Sequence, residues 1–242
     1  MGKKLSKKEK KRLKYIESRK KVETEKIQKP KKIPKILIFG LIVALVIILW
    51  MYYTKNTSTY IPRKNDVPLV GNANATVTIK SFSDFQCFYC AEFYKKVYPE
   101  IKTKYIETGK VKFLFYDFPI EEIHPLAMKA AEAAKCAHEQ GRYEEYALLL
   151  YSRQKEWSKV GVGKFKEYAK ELGLSEEFFK CLDSGVMREM VKRDLEEGKK
   201  LQVYGTPTFF VNERRIVGAK SFEEFEKVIN EILLKNNLSG FN

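Results

Sequence analysis

Metal-binding and crosslinking residues are scarce in this chain: among 242 residues there are only four cysteines, Cys87, Cys90, Cys136 and Cys181. After the C-x-x-C at Cys87–Cys90, no second C-x-x-C or C-x-x-H follows to complete a zinc shell. The chain also lacks internal repeats and collagenous or low-complexity composition, which leaves one ordinary core with attachments as the expectation. Basicity is missing from most of it as well. The formal net charge is +15, but residues 1–35 hold 16 Lys and Arg against 4 Glu, a net of +12, leaving about +3 (15 minus 12) for the rest. A generally basic, nucleic-acid-binding domain is thereby excluded.

Charge is absent altogether between Lys35 and Lys55, where the sequence reads ILIFGLIVALVIILWMYYT. At about 1.5 Å rise per residue, residues 36–54 cover close to the roughly 30 Å of a bilayer's hydrocarbon core. A buried core helix would need a polar face. A cleavable signal peptide would have a shorter basic start and apolar middle, and WMYYTKNTSTY lacks a small-x-small cleavage site. The expectation is one uncleaved N-terminal transmembrane helix at 36–54. Trp50, Tyr52 and Tyr53 stand at one interface, and the Lys/Arg-rich tail 1–35 stays in the cytoplasm as a solvated helix or coil against anionic lipid. Everything after Tyr53 then lies outside, and orientation explains the charge without RNA.

Residues 55–70 mix Thr, Asn, Pro and charge without periodicity and read as a linker. A packed domain is expected over 71–236, followed by a short tail at 237–242. VTIKSFSDF (77–85) alternates as a strand. The next segment places Phe93, Val97, Ile101 and Tyr105 on one helical face, with a kink expected at Pro99. VKFLFYDF (111–118) is apolar on both faces, as a buried parallel strand requires. This is a β-α-β unit with the cysteine pair at its strand-to-helix turn. Helical composition fills about 121–202, and TPTFFVNERRIVGA then gives a hairpin turning at Asn212–Glu213 before a last amphipathic helix. The fold class is α/β.

A C-x-x-C opening a helix is suited to redox chemistry. Free amides and the helix dipole stabilise a thiolate on the first cysteine, and the second lies one turn on, within reach to close a disulfide. Cys87 is thus the expected nucleophile and Cys90 the resolving partner, with the uncharged Phe88 and Tyr89 between them. Two other readings stand beside it: a zinc site completed by Cys136 and His138, and an inert crosslink of very small loop. Cys136 and Cys181 lie among apolar helical neighbours, in AEAAKCAHE and EFFKCLDS. Joined, they would close a loop of about 46 residues, worth roughly 4 kcal/mol by chain entropy. A structural staple is expected, with free thiols or a second relay as the alternatives. No metal and no cofactor is called for.

GNANATVTIKSFSDFQCFYC, AAEAAKCAHEQGRYEEYALLL, FFKCLDSG and YGTPTFFVN, in this order, resemble the DsbA-like thiol:disulfide oxidoreductases of the thioredoxin superfamily. The resemblance spans about 71–234. It implies a thioredoxin-like fold with an inserted helical subdomain, substrate attack at Cys87, resolution by Cys90, and a cis-proline loop at Thr206–Pro207 that pairs with extended substrate. Two departures bear on the reduction potential: Phe88 stands where many relatives have proline, and Ser81 where many have a buried acid, a role Asp84 could take over. With the anchor and orientation read above, the resemblance implies an extracytoplasmic oxidant of cysteine-containing exported proteins, re-oxidised by a DsbB- or VKOR-like membrane partner; a single chain with one anchor makes monomer the default. A reductase or isomerase of the same proteins is the alternative. A non-catalytic peptide-binding module is the rival from another class.

Overall fold

Serine and glutamate three residues apart start the first helix. Ser6 Oγ accepts from the Glu9 amide (3.4 Å) while the Glu9 carboxylate accepts from the Ser6 amide (2.9 Å), a reciprocal cap for α1 (Lys7–Glu25). The computed structural model describes residues 6–25, 35–56 and 67–239. It divides into two units, Met1–Thr57 and Ser58–Asn242. In the first unit α1 is followed by α2 (Lys35–Asn56), whose described side chains, residues 39–49 and 51, are exposed. Among the described residues no helix is long and apolar enough to cross a membrane. The fold therefore does not establish the span expected at 36–54. Most of the linker expected at 55–70 (57–66) lies outside the described residues.

The second unit is a five-stranded sheet in the order β1-β3-β2-β4-β5, built from β1 (Leu69–Gly71), β2 (Val77–Ser83), β3 (Val111–Asp117), β4 (Thr208–Val211) and β5 (Arg214–Val217). β2 and β3 run parallel from Val77↔Val111 to Ser83↔Asp117, as their apolar composition requires, and the other pairings are antiparallel. β1 corrects the linker boundary: Leu69 and Val70 pair with Leu114 and Phe113 rather than forming a free connection. Gly71 makes this edge possible, since its φ is +103° and a Cβ would sit 2.7 Å from the Val111 carbonyl oxygen.

The crossover begins with α3 (Phe88–Lys96), breaks at Val97, and continues as α4 (Tyr98–Ile101) and a π-helical turn (Lys102–Ile106). The break is the expected kink, because Pro99 has no amide hydrogen and crowds the carbonyl four residues before it. Phe93 of α3 packs 4.3 Å, centroid to centroid, from Phe209 of β4 and 5.4 Å from Phe225 of the final helix α11 (Phe222–Ser239). α11 runs past the domain end expected at 236.

The insertion holds α5 (Ala127–His138), α6 (Tyr143–Ser152), α7 (Gln154–Val160), α8 (Gly163–Glu171), α9 (Glu176–Ser184) and α10 (Arg188–Lys200). α10 approaches the sheet closely enough that a Cβ on Gly198 would lie 2.6 Å from the Phe118 ring. YEEYALLLYSRQKEW reads as one helix, yet it divides at Arg153 (φ −106°, ψ 21°). The indole of Trp157 donates to the Leu150 carbonyl at 2.7 Å, the acceptor that the Gln154 amide would use in an unbroken helix. That exchange redirects the chain at Gln154.

Candidate active site

β2 delivers the chain to a tight turn at its carboxyl end. The Asp84 carboxylate accepts from the Gln86 amide (2.7 Å) and the Asp84 carbonyl from the Cys87 amide (3.1 Å). Cys87 then stands at the N-cap of α3 in extended conformation (φ −68°, ψ 122°), beside the free amides of the helix start but without a side-chain cap hydrogen bond to them. Cys87 retains 7% of its surface and Cys90 none. Both are free thiols in this structure. The Cys87 thiol donates to the Thr206 carbonyl (3.4 Å), while Cys90 Sγ accepts from the Asp84 amide (3.4 Å).

These surroundings separate the two thiols. Hydrogen bonding from Cys90 outweighs the cost of burial at Cys87 and, with Thr206 and the Cys90 and Tyr89 backbone, lowers its pKa from 9.0 to about 6. Complete burial, reinforced by the Cys87 charge, pushes Cys90 well above its ordinary value. One cysteine is built to be a thiolate and the other to stay protonated.

The expected site residues come together here. Thr206–Pro207 is a cis peptide bond, and its loop supplies the carbonyl that meets Cys87. Phe88 and Tyr89 are exposed, at 56% and 63%, edge to face with each other. They line, with Glu92, Lys96, Ala219 and Lys220, a groove of about 380 Å³. Cys136 and Cys181 form a disulfide between α5 and α9, with Cα atoms 5.8 Å apart. That bond removes Cys136 from any zinc shell with Cys87 and Cys90. It also rules out the free-thiol alternative in this structure.

Ser81, at the position where the resemblance leads one to expect a buried acid, is fully buried and shares hydrogen bonds with Tyr94 Oη (2.8 Å) and Ser83 Oγ (2.9 Å). The Asp84 carboxylate is engaged away from the sulfurs, accepting from the Ile120 amide (2.8 Å) and meeting His124 Nδ1 (2.8 Å). A buried charge cluster lies instead at the end of β3, and the sequence reading missed it. Lys135 Nζ stands 2.6 Å from Asp194 and 3.3 Å from Asp117, whose other oxygen accepts from Tyr143 Oη at 2.8 Å. Burial raises the Asp117 carboxyl to about 6. Burial also pulls Lys135 down, but the two carboxylates outweigh it and leave it above its ordinary value. A lysine on the apolar stripe AEAAKCAHE was the available signal. Gln154, also missed, donates through Nε2 to the carbonyls of Phe85 (2.7 Å) and Cys87 (2.9 Å).

The family model described as Thioredoxin matches residues 64–231. The chain is 30% identical over 172 residues to "Probable disulfide bond formation protein D" of Bacillus anthracis, covering 69% of this chain and 78% of that one. It is 31% identical over 160 residues to "Na(+)/H(+) antiporter NhaA 3" of Salinispora tropica, covering 66% of this chain but only 24% of the antiporter. Among solved structures, alpha-DsbA1 of Wolbachia pipientis superposes with a TM-score of 0.65 at 23% identity, covering 72% of this chain and 94% of that one. Oxidised BdbD of Bacillus subtilis gives 0.63 at 24% identity, covering 69% and 92%. With a redox-type cysteine pair at the start of α3, a cis-proline loop facing it and a helical insertion between β3 and β4, this chain belongs to the thioredoxin family, in its DsbA-like branch.

Proposed function

We propose that the protein is a thiol:disulfide oxidoreductase that oxidises cysteine pairs of exported proteins, held at the outer face of a membrane by residues 36–54. The observation that carries this reading is the C-x-x-C at the start of α3, with Cys87 at the N-cap facing the cis-proline loop (3.4 Å to the Thr206 carbonyl) and Cys90 fully buried one turn on, surroundings that lower the first thiol's pKa and raise the second's. Starting from the oxidised pair, a substrate thiolate attacks Cys87 Sγ. The Cys87–Cys90 bond breaks and Cys90 leaves as a thiolate that takes up a proton. The substrate's second thiolate then attacks the substrate sulfur of the mixed disulfide and expels Cys87, whose low pKa makes it a good leaving group. Two electrons and one proton remain on the enzyme, with Cys87 as thiolate, and a DsbB- or VKOR-like membrane protein would accept the electrons.

The groove beside Phe88 and Tyr89, together with the cis-proline loop, suits an extended substrate segment. The anchor is supported by the exposed apolar side chains of α2, Phe39 and Leu41 at 70% and 68% among them, and by the basic α1 before it.

Direction rests on the reduction potential. A pKa near 6 stabilises the reduced form at pH 7 by about 1.4 kcal/mol, equivalent to roughly 30 mV. Thiolate stabilisation alone therefore does not make a strong oxidant. A glutathione titration of the full chain in detergent, read by thiol alkylation and mass, is expected above roughly −200 mV. A value near −270 mV would turn the reading to a reductase or isomerase. Cys87→Ser should abolish oxidation of a reduced, unfolded protein. Survival of that activity would overturn the assignment of Cys87 as the nucleophile, whereas a Cys87–Cys90 pair inert to dithiothreitol in the folded protein would leave a binding module only.

A further inference from the structure

The helical insertion does more than enclose the redox turn. Its α6–α7 break aims a buried amide at the turn, since Gln154 is only 8% exposed and its Nε2 bridges the carbonyls of Phe85 and Cys87. The same junction holds the turn a second time, with Tyr151 stacked 4.8 Å from Phe85 and 4.3 Å from Tyr94. The junction is itself fixed. Arg153 is bound by both carboxylate oxygens of Glu171 (2.5 and 2.7 Å), and the Trp157 indole occupies the Leu150 carbonyl.

Where the Cys87 carbonyl points is set by the cysteine's ψ, and the same rotation sets where Sγ lies relative to the amides of Tyr89 and Cys90. We infer that Gln154 is a positioning residue of the nucleophile: by clamping the Phe85 and Cys87 carbonyls, the insertion fixes where Cys87 Sγ stands at the N-cap of α3, opposite the Thr206 carbonyl. The lowered Cys87 pKa agrees, since backbone contacts to Cys90 and Tyr89 contribute to it. Without the clamp the Phe85 carbonyl loses its donor and the Cys87 carbonyl keeps only the Ala91 amide (3.2 Å), so the turn is free to shift toward other donors. The inference deepens the proposed function, because it rests on Cys87 being the attacking sulfur.

Its test is the pH dependence of Cys87 alkylation by iodoacetamide, followed by mass on the reduced full-length protein, with a melting curve for each variant. Gln154→Met keeps the side-chain length and removes the donor. Its alkylation midpoint should rise and its thiolate at pH 6 should fall roughly five- to tenfold. Gln154→Glu, of the same shape but without donors once ionised, should shift it the same way and serves if the methionine variant does not fold. Tyr146→Phe removes another buried donor of the insertion, the bond from Tyr146 Oη to the Phe165 carbonyl (2.8 Å), and should lower the melting temperature while leaving the midpoint in place. Folded Gln154 variants with an unchanged midpoint and reduction potential would overturn the inference. Exchange activity persisting in Cys87→Ser would instead overturn the assignment of the nucleophile, whatever Gln154 does.

Discussion

Two cysteine pairs in one domain have opposite fates. Cys87 and Cys90 lie three positions apart at the start of a helix, one keeping 7% of its surface and one none, and both are free thiols. Cys136 and Cys181 are separated by 45 positions, lie in helix interiors at 1% exposure each, and are joined. Burial alone does not separate them, since Cys90 is as buried as either member of the second pair. Cys87 differs in standing at the free amides of a helix, where a negative sulfur is stabilised and accessible. The second pair meets neither condition and is left with a mechanical role, tying α5 to α9.

That contrast can be broken at its support, its staple and its thiol. Lys135, next to Cys136 on α5, joins the insertion to the sheet through Asp117 and to α10 through Asp194. Lys135→Met would leave two buried carboxylates without a cation and should cost about 3–5 kcal/mol in chemical denaturation. A loss near zero would mean that the cluster does not hold the insertion. Replacing both Cys136 and Cys181 by serine should cost at most about 4 kcal/mol by the same measurement, with exchange activity retained when the protein is folded. Loss of turnover in a folded double variant would make this pair a relay.

The smallest effect sharpens the thiol side. At pH 7 an alkylating reagent should modify Cys87 far ahead of Cys90, with a midpoint near pH 6. Since the folded pKa is depressed, the extra stability of the reduced protein is fully present above the ordinary thiol value of 9.0 and is lost as pH falls through about 6. Equal reactivity of the two thiols would contradict the site's asymmetry.

Much of this was legible from local pattern. The alternation of VTIKSFS and the two-sided apolarity of VKFLFYD are visible because a strand's period is short, and both strands formed where expected. Pro99 marked the kink and Asn212 the hairpin, where its φ is +50°. β1 was hidden because three residues carry too little pattern, and only pairing with β3 makes them a strand. The division at Arg153 was hidden because a helix-breaking contact came from a side chain, Trp157, rather than from a glycine or proline.

By itself the sequence determined the fold class, the C-x-x-C pair at a helix start, the cis-proline loop by resemblance, and the cysteines able to form the staple. Each depends on residue types at short spacing or on motifs in fixed order. Only the tertiary structure decided the partners of the buried polar groups: Ser81 bonded to Tyr94, Asp84 turned toward His124, Lys135 between two carboxylates, and Gln154 on the Cys87 carbonyl. Those partners come from positions as many as 67 apart in the chain. A hydrogen bond or a pKa depends on distances of a few ångströms, which only the packing of helix on sheet sets.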